Sequence, residues 1–202
     1  PRADPHPPRF AGSGLACRRG DRLVFRDLDF ALEAGGALVL TGANGSGKAS
    51  LLRVMAGLTP PLLGALAWDG AAVADDPAGH HARIHFIGHQ DALKPALSVI
   101  ENLRFWAGYI GNDAGDVDAA LEAVALKPLA GLPAAYLSAG QRRRLSIARL
   151  VAVKRPIWLL DEPTSALDAA SQERLASLMR GHLAGGGMIV AATHGPIGLD
   201  NP

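Results

Sequence analysis

Hydrophobic and polar positions along the chain follow two different periods, which together predict strands interleaved with helices. Between residues 24 and 32, Leu28, Phe30 and Leu32 alternate with polar or small side chains, the pattern of a half-buried strand. A short apolar run at residues 37–41 is typical of a buried parallel strand, and residues 84–88 are expected to form another short strand. The same reasoning predicts strand segments over 66–73, 157–160 and 188–192, helices over 50–58, 141–153 and 171–183, and turns at 33–36 and 185–187. Strands that alternate with helices indicate an α/β fold with a mostly parallel sheet.

Residues 97–129 carry a helical pattern that differs from the strand-rich segments on either side. Ile100, Leu103 and Leu121 are among the apolar positions at helical spacing, and Gly111–Gly115 interrupts them. We therefore expect a small helical lobe over about residues 91–145. It is inserted into a core formed by residues 13–90 and 146–202, so that residues 13–202 make one domain.

The first ten residues, PRADPHPPRF, are rich in proline and charge. They lack the apolar middle of a secretory signal, so we expect residues 1–12 to form a flexible tail. A membrane-spanning helix needs an apolar run of about 18 residues or more, and no such run is present. The sequence therefore predicts a chain that reaches a membrane only through partner proteins.

Composition narrows the function without identifying it. The chain has 202 residues, of which 49% are hydrophobic and 19% charged, as in a folded globular domain. A net charge of +1 gives no electrostatic reason to expect a nucleic-acid partner. Cys17 is the only cysteine, which excludes a disulfide framework or a cysteine-based zinc site within one chain. We expect it to be a small buried apolar residue.

The segment GANGSGKAS has the G-x-x-x-x-G-K pattern of a phosphate-binding loop. Its glycines let successive N–H groups point at phosphate oxygens, and the following helix adds a partial positive charge. A glycine-rich turn before an ordinary helix is the alternative, but the predicted strand–loop–helix order argues against it. The residues expected to hold the nucleotide phosphates are Gly42, Ala43, Asn44, Gly45, Ser46, Gly47, Lys48, Ala49 and Ser50.

One position departs from the phosphate-loop pattern. After Lys48 the pattern calls for Ser or Thr, whose hydroxyl binds Mg²⁺, and here it is Ala49. Ser50 carries a hydroxyl, but one step along a helix rotates a side chain by about 100°. We therefore expect Ser50 to face away from the ion and a loosely held water to take the place of the missing ligand.

A second motif, IWLLDEP, is a predicted buried strand that ends in two acidic residues. Asp161 would reach the phosphate end of the sheet, where it can hold Mg²⁺ through water. Glu162 follows it and can orient or deprotonate an attacking water. An acidic pair at a strand end can also be a solvated turn, and the phosphate loop is what favours the catalytic interpretation.

With these motifs on the same chain, the sequence resembles the ABC ATPases. The segment LSAGQ, Leu137–Gln141, is similar to their LSGGQ signature, and Ser165–Asp168 is similar to their D-loop. Gln90 and His194 stand where the family has its Q-loop glutamine and switch histidine. The resemblance implies a P-loop NTPase core, with a mostly parallel sheet and an antiparallel N-terminal β subdomain, plus a small α-helical subdomain.

The resemblance also implies ATP and Mg²⁺ as ligands and a head-to-tail dimer. In such a dimer Ser138, Gly140 and Gln141 of one chain cover the γ-phosphate held by the other, and Asp168 couples the two sites. The catalytic residues that it implies are Lys48, Gln90, Glu162 and His194, and the implied Mg²⁺ contacts are Asp161 and Gln90. Where the family stacks adenine on an aromatic side chain, this sequence has Arg18 or Arg19, and an arginine plane can also stack.

Residues 85–108, together with LSAGQRRRLSIARL, resemble the ATP-binding subunits of haem exporters used in cytochrome c maturation. That resemblance implies integral membrane partners at the cytoplasmic face of a bacterial inner membrane. Phe105 and Trp106 would then be either a docking patch for a membrane-subunit helix or ordinary core residues. Three alternatives stay open: another ABC importer or exporter, a soluble ABC ATPase of translation or DNA repair, and a nucleotide-gated regulator with weak hydrolysis.

Overall fold

The structure, a computed structural model, describes residues 9–110 and 116–199. Its centre is a four-stranded parallel sheet in the order β3-β8-β7-β6. The strands are β3 (Ala37–Leu40), β6 (Ile84–Ile87), β7 (Ile157–Asp161) and β8 (Met188–Ala192). Because all four run in one direction, the loops that follow them meet at one edge of the sheet. The predicted parallel core is confirmed.

Apolar side chains on both faces of β7 explain why this strand lies in the middle of the molecule. Ile157 and Leu159 pack into the core on one face, and Trp158 and Leu160 pack into the core on the other. A strand covered on both faces has no polar alternation, which is why its sequence is a continuous apolar run. The strand ends at Asp161, its first polar residue, which lies where the carboxyl ends of the parallel strands meet.

A second sheet is antiparallel and has the order β2-β1-β4-β5. It consists of β1 (Arg9–Arg19), β2 (Arg22–Glu33), β4 (Leu63–Trp68) and the two-residue β5 (Ala71–Ala72). Cys17 is buried in β1, as expected. This sheet is the antiparallel N-terminal β subdomain that the resemblance implied.

The start of β1 corrects the expected tail. Residues 9–12 belong to the strand, so the prediction of a flexible segment over residues 1–12 is wrong from Arg9 onward. Phe10 has no exposed surface, and its ring lies 5.3 Å from those of Phe30 and Trp68. Burial of this aromatic ring outweighs the proline-rich composition before it. Residues 1–8 lie outside the described part of the chain.

The helices lie close to their predicted positions, with one addition. The short α2 was not predicted; it begins at Pro77 and is capped by Asp76, whose carboxylate accepts the Gly79 N–H at 2.8 Å. The helices are α1 (Lys48–Met55), α2 (Pro77–Ala82), α3 (Val99–Ile110), α4 (Val117–Ala123), α5 (Ala139–Ala152) and α6 (Ala169–Ala184), and single 3₁₀ turns lie at Val73–Asp75, Lys127–Leu129 and Ala134–Tyr136.

A helical lobe forms where α3 and α4 pack on α5 around buried side chains such as Leu103, Leu121 and Leu145. Helix α5 runs unbroken through the boundary expected at residues 145/146 and so belongs to both the lobe and the core. The expected interruption at Gly111–Gly115 falls outside the described residues. Within residues 9–110 and 116–199, no helix combines the length and apolarity that crossing a membrane requires.

Candidate functional site

A cavity of about 480 Å³ opens at the edge of the parallel sheet where the strands end. The loop after β3, the end of β7 and the segment after β8 all contribute to its wall. This is the edge at which parallel α/β sheets bind ligands, and the volume is that of a small-molecule site. The lining residues are Arg19, Arg22, Val24, Asn44, Gly45, Ser46, Gly47, Lys48, Ala49, Ser50, Asp161, Glu162 and His194.

The loop between β3 and α1 has a backbone that side chains would not tolerate. Gly42, Gly45 and Gly47 have φ values of 139°, 79° and 104°. A Cβ on Gly47 would also lie 2.6 Å from Val24 Cγ1. Gly47 is the N-cap of α1, and within the described part of the chain no side chain caps the helix. The N–H groups of the first helical turn have no acceptor within the helix, so they are available to an anion.

Lys48, His194 and Glu162 come together at this cavity although they are far apart in sequence. The Lys48 ammonium donates to the carbonyl oxygens of Gly42 (2.6 Å) and Ala43 (3.2 Å). Its Nζ lies 3.3 Å from His194 Nε2, which in turn lies 3.4 Å from Glu162 Oε1. A cation, an imidazole and a carboxylate therefore share one wall, the set needed to bind a phosphoryl group and a water.

Glu162 has an unusual backbone for a non-glycine residue, with φ at 46°. Its N–H donates to the Ala192 carbonyl at 2.8 Å, and its own carbonyl accepts the Ser165 N–H at 3.1 Å. These bonds fix the turn that follows β7. A left-handed residue costs of order 1–3 kcal/mol and is retained where the surrounding structure determines it, often at functional sites.

Asp161 lies beside Glu162 and is half-buried. Burial raises the pKa of the Asp161 carboxyl above its ordinary value, and the neighbouring Glu162 carboxylate raises it further. Both causes penalise the charged form, and a divalent cation would reverse that penalty. A carboxylate at the end of a strand, next to a phosphate-type loop, is a donor that fits Mg²⁺.

The two positions after Lys48 differ in exposure. Ala49 is exposed at the cavity, whereas Ser50 borders the same cavity but is only 7% exposed. The more open of the two positions is therefore the one without a hydroxyl. The expectation that Ser50 faces away from a bound ion stays a prediction.

The N-terminal side of the cavity carries two arginines. Arg19 ends β1 and Arg22 begins β2, and both border the cavity. Arg19 was expected at an adenine ring from its place in the sequence, whereas Arg22 was not. The tight turn between the two strands brings both guanidinium groups to the same side, which the alternation of the strands did not reveal.

Other predicted site residues lie away from this cavity. Gln90 follows β6, is exposed, and does not border the cavity. Ser138 is the N-cap of α5, and its hydroxyl accepts the Gln141 N–H at 3.2 Å while Gln141 Oε1 accepts the Ser138 N–H at 2.8 Å. Asp168 caps α6 through the Ser171 N–H, and hydrogen bonds from the Ser171 side chain and backbone lower the pKa of its carboxyl.

Gly140 lies on the first turn of α5 and packs on the chain that follows Glu162. A Cβ at Gly140 would lie 2.7 Å from the Ala166 carbonyl oxygen, so the small residue allows this approach. Ala166 itself has φ at 63°. The signature segment and the loop after β7 are therefore in direct contact within one chain.

Arg143 is a buried residue that the sequence did not single out. Its guanidinium donates to the carbonyl oxygens of Gly88, Asp161 and Glu162 at 2.8, 2.6 and 2.9 Å. It also forms an ion pair of 3.3 Å with Asp91. In the sequence it is the middle of three successive arginines, and only packing distinguishes it from its neighbours.

Comparison with known proteins finds relatives that are similar to this chain over nearly its whole length. Residues 25–165 match the family described as "ABC transporter". The "Cytochrome c biogenesis ATP-binding export protein CcmA" of Rhodopseudomonas palustris (strain BisB5) is 58% identical over 94% of each chain. The protein of the same description in Paramagnetospirillum magneticum (strain ATCC 700264 / AMB-1) is 55% identical over 94% of this chain and 89% of its own length. A solved "Structure of ATP binding subunit of ABC transporter" is 25% identical, with a TM-score of 0.82 over 92% of this chain and 79% of that one.

Proposed function

Because this chain belongs to the ABC transporter family, we propose that it binds ATP and Mg²⁺ in the cavity at the sheet edge and hydrolyses the ATP there. The chain is an ABC ATP-binding subunit, whose ATPase activity is coupled to transport. One observation carries the assignment of the site. Lys48, His194 and Glu162 line one wall of the cavity, where His194 Nε2 lies 3.3 Å from Lys48 Nζ and 3.4 Å from Glu162 Oε1.

The phosphates of ATP are held mainly by backbone groups. The loop of Gly42–Ser50 and the uncapped start of α1 present N–H groups to the β- and γ-phosphates. Lys48 turns its ammonium from the Gly42 and Ala43 carbonyls to these phosphates. Arg19 provides a plane on which the adenine ring stacks.

Asp161 and Gln90 are the residues that would hold Mg²⁺, Asp161 through water. The ion supplies charge neutralisation at the phosphates, which phosphoryl transfer requires. The raised pKa of Asp161 is consistent with this role, because burial and the Glu162 carboxylate penalise its charged form, and a divalent cation would reduce that penalty.

Glu162 orients the attacking water and accepts its proton. His194 lies 3.4 Å from Glu162 and donates a hydrogen bond to the γ-phosphate. As the bond from the γ-phosphorus to the leaving oxygen breaks, negative charge passes to ADP, and Lys48 stabilises it. The three side chains therefore cover the water, the transferred group and the leaving group.

A second cassette completes the site. Ser138, Gly140 and Gln141 do not border the cavity of their own chain, as expected if they cover the γ-phosphate of another. The Ser138 hydroxyl hydrogen and the Gly140 N–H at the start of α5 are the donors that face it. ATP thus joins two chains head to tail.

Integral membrane subunits anchor the two ATP-binding chains at the cytoplasmic face of a bacterial inner membrane. The ATPase drives haem export, or haem release, in cytochrome c maturation. The sequence similarity to the named cytochrome c biogenesis proteins supports this assignment. Phe105 and Tyr109 are 41% and 75% exposed and stack with centroids 6.2 Å apart. With half-buried Trp106 they form an aromatic surface on α3 that suits a helix of a membrane subunit.

A nucleotide-gated regulator is the second candidate, and Ala49 is the observation that favours it. A weakened Mg²⁺ site would slow hydrolysis and leave a nucleotide-dependent dimer as the output. The proximity of Glu162 to His194 favours hydrolysis instead. Phosphate release with added Mg²⁺ separates the two: a transporter subunit turns over, whereas a regulator binds ATP and releases almost no phosphate.

Substitution of Glu162 by Gln tests the catalytic assignment. The amide keeps the size of the side chain but cannot take a proton, so we expect turnover to fall by about 100-fold or more. ATP binding should remain, and an ATP-bound dimer should accumulate. Steady-state phosphate release and light scattering measure the two effects, and equal turnover in variant and wild type would exclude Glu162 from this role.

Affinity purification from detergent-solubilised membranes tests the assembly. We expect integral subunits to co-purify with the full chain, and haem-dependent stimulation of its ATPase in that complex. A Phe105→Ala, Tyr109→Ala variant should lose the subunits while keeping ATP binding, since neither residue borders the cavity. Recovery of ribosomal or DNA-repair proteins in place of membrane subunits would support the soluble-ATPase alternative.

A further inference from the structure

We propose that Arg143 is a positioning residue that couples the helix bearing the signature segment to the catalytic carboxylate of the same chain. Closure of α5 on the partner's nucleotide is thereby transmitted to Glu162 and to the segment around Gln90. This inference rests on the proposed head-to-tail dimer and on the catalytic role of Glu162.

The first support is that the donors of Arg143 are fully used. Besides its bonds to Gly88, Asp161 and Glu162, the guanidinium donates from Nε to the Pro163 carbonyl at 3.5 Å and from one terminal nitrogen to the Asp91 carboxylate at 3.3 Å. A guanidinium has five N–H groups, and these contacts engage all five. The side chain is 4% exposed, so its orientation is set by these partners and not by solvent.

The second support is where the acceptors lie. Three of them are carbonyl oxygens of the successive residues Asp161, Glu162 and Pro163. Three successive carbonyls converge on one group only because the chain turns there, and Glu162, with its φ of 46°, makes that turn. Arg143 therefore stabilises the backbone conformation that aims the Glu162 carboxylate into the cavity.

The third support is that the same guanidinium holds both ends of the segment containing Gln90. It binds the Gly88 carbonyl before that residue and the Asp91 carboxylate after it. A displacement of Arg143 thus moves the Gln90 segment and the end of β7 together. Lysine has a single nitrogen and cannot span these acceptors.

The link back to the partner runs along α5. Arg143 lies five residues after the N-cap Ser138, about 7.5 Å along a helix that has no break between them. Gly140 packs on the Ala166 carbonyl in the loop that follows Glu162. Force applied at the start of α5 by a partner's γ-phosphate is therefore delivered to the turn at Glu162 through rigid, packed elements.

A purely structural role for Arg143 makes a different prediction from a coupling role. If the residue only stabilised the fold, its loss would lower the melting temperature, and any remaining folded protein would hydrolyse ATP with normal cooperativity. Arg144 is a matched control, because it is the next residue on α5 and, among residues 9–110 and 116–199, its guanidinium donates to the carbonyls of Val124 and Ala125 in the lobe and not to the turn at Glu162.

The experiment compares Arg143→Lys and Arg144→Lys in the full chain. For each we would measure the Kd for ATP, the melting temperature, and the dependence of ATPase rate on ATP concentration. We expect Arg143→Lys to bind ATP within about threefold of wild type, to lose about 10- to 100-fold in turnover, and to lower the Hill coefficient from near 2 toward 1. Arg144→Lys should keep the wild-type Hill coefficient.

Wild-type turnover and Hill coefficient in a folded Arg143→Lys protein would overturn the proposal, and so would equal losses in the Arg144 control. Should Arg143→Lys fail to fold, hydrogen exchange on the Glu162→Gln chain supplies a second test. We expect the Ser165 amide, bonded to the Glu162 carbonyl at 3.1 Å, to exchange more slowly in the ATP-bound dimer than in the monomer. Unchanged exchange would overturn the coupling, whereas absence of that dimer would contradict the proposed function itself.

Discussion

Two helix N-termini of this protein carry the same partial positive charge, but their free backbone N–H groups find hydrogen-bond acceptors in different ways. Helix α1 begins after Gly47, and no side chain caps it. Helix α5 begins after Ser138, and Ser138 and Gln141 cap each other's backbone N–H groups. The first end depends on a ligand for its hydrogen bonds, whereas the second is largely satisfied without one.

The difference between the uncapped start of α1 and the capped start of α5 explains how one fold can have two roles. One face holds a nucleotide, and another face covers the nucleotide of a second chain. An uncapped helix start behind a glycine loop can enclose phosphates, because no side chain of the described residues caps its donors. A capped start is stable when exposed at a surface. It still offers the Ser138 hydroxyl hydrogen and the Gly140 N–H to an anion that arrives with another chain. We therefore expect α1 to set affinity for ATP and α5 to set dimerisation.

The largest effect should come from blocking the capped end. Ser138→Arg places a long charged side chain where the partner's nucleotide must approach, so ATP-driven dimerisation should be lost and turnover should fall by about 100-fold or more. ATP binding to the single chain should be unchanged. Light scattering with and without ATP, together with a binding titration, measures the separation.

Ser138→Ala is the control for the cap itself. It removes the hydroxyl without adding bulk, and loss of a serine cap destabilises a protein by about 1 kcal/mol. Dimerisation should weaken but persist in this variant. A dimer that forms without nucleotide and survives Ser138→Arg would show that α5 does not face a partner's ATP.

A smaller effect should come from filling the uncapped end. Gly47→Ala puts a Cβ 2.6 Å from Val24 Cγ1 on a residue with φ at 104°, and both the clash and the backbone strain act against the loop. A penalty of about 2 kcal/mol would weaken ATP binding by roughly 30-fold. Isothermal titration of ATP into the variant measures it.

Gly45→Ala is the matched control, because Gly45 has φ at 79° but open space around a Cβ. It carries the strain without the clash, so it should weaken ATP binding less than Gly47→Ala. Equal losses in the two variants would show that backbone strain alone determines the loop, and that the contact with Val24 is unimportant.

The sequence located some strands more accurately than others, and the physical surroundings of each strand explain why. Strands β7 and β8 were placed to within one residue because both are buried on two faces, which leaves an uninterrupted apolar run. Strand β1 was missed because its pairing shifts register between Gly12, Leu15 and Cys17. Such shifts break the alternation by which a strand is recognised.

Site residues divide in the same way. Lys48, Asp161 and Glu162 were predicted from motifs at the ends of predicted strands, and His194 from the family resemblance; the parallel sheet brings these strand ends together. Arg143 was not predicted, because three successive arginines on a helix point in directions about 100° apart and only tertiary packing decides which one is buried. Local sequence carries no information on that choice.

Substitution of Ala49 should give the smallest effect, but it tests the uncapped N-terminus of α1 most directly. It lies on the first turn of α1, exposed at the cavity, where a hydroxyl would bind Mg²⁺. Ala49→Ser should lower the Mg²⁺ concentration for half-maximal ATPase and raise turnover by about tenfold, since one hydrogen-bonding contact to a charged group contributes about 1.5–3 kcal/mol. Phosphate release across a Mg²⁺ titration measures both quantities.

The result of that titration also decides what Ser50 does. If Ala49→Ser changes nothing and Ser50→Ala raises the Mg²⁺ requirement, Ser50 already supplies the hydroxyl and does not face away from the ion. If Ala49→Ser lowers activity, the alanine is an adaptation to packing, and the loop takes a different path around the phosphates when ATP binds. A gain confined to Ala49→Ser would show that the open helix start has one ligand fewer than its geometry allows. Hydrolysis in the natural protein is then limited by how firmly the metal is held, because positioning of the phosphates accounts for most of the catalysis of phosphoryl transfer.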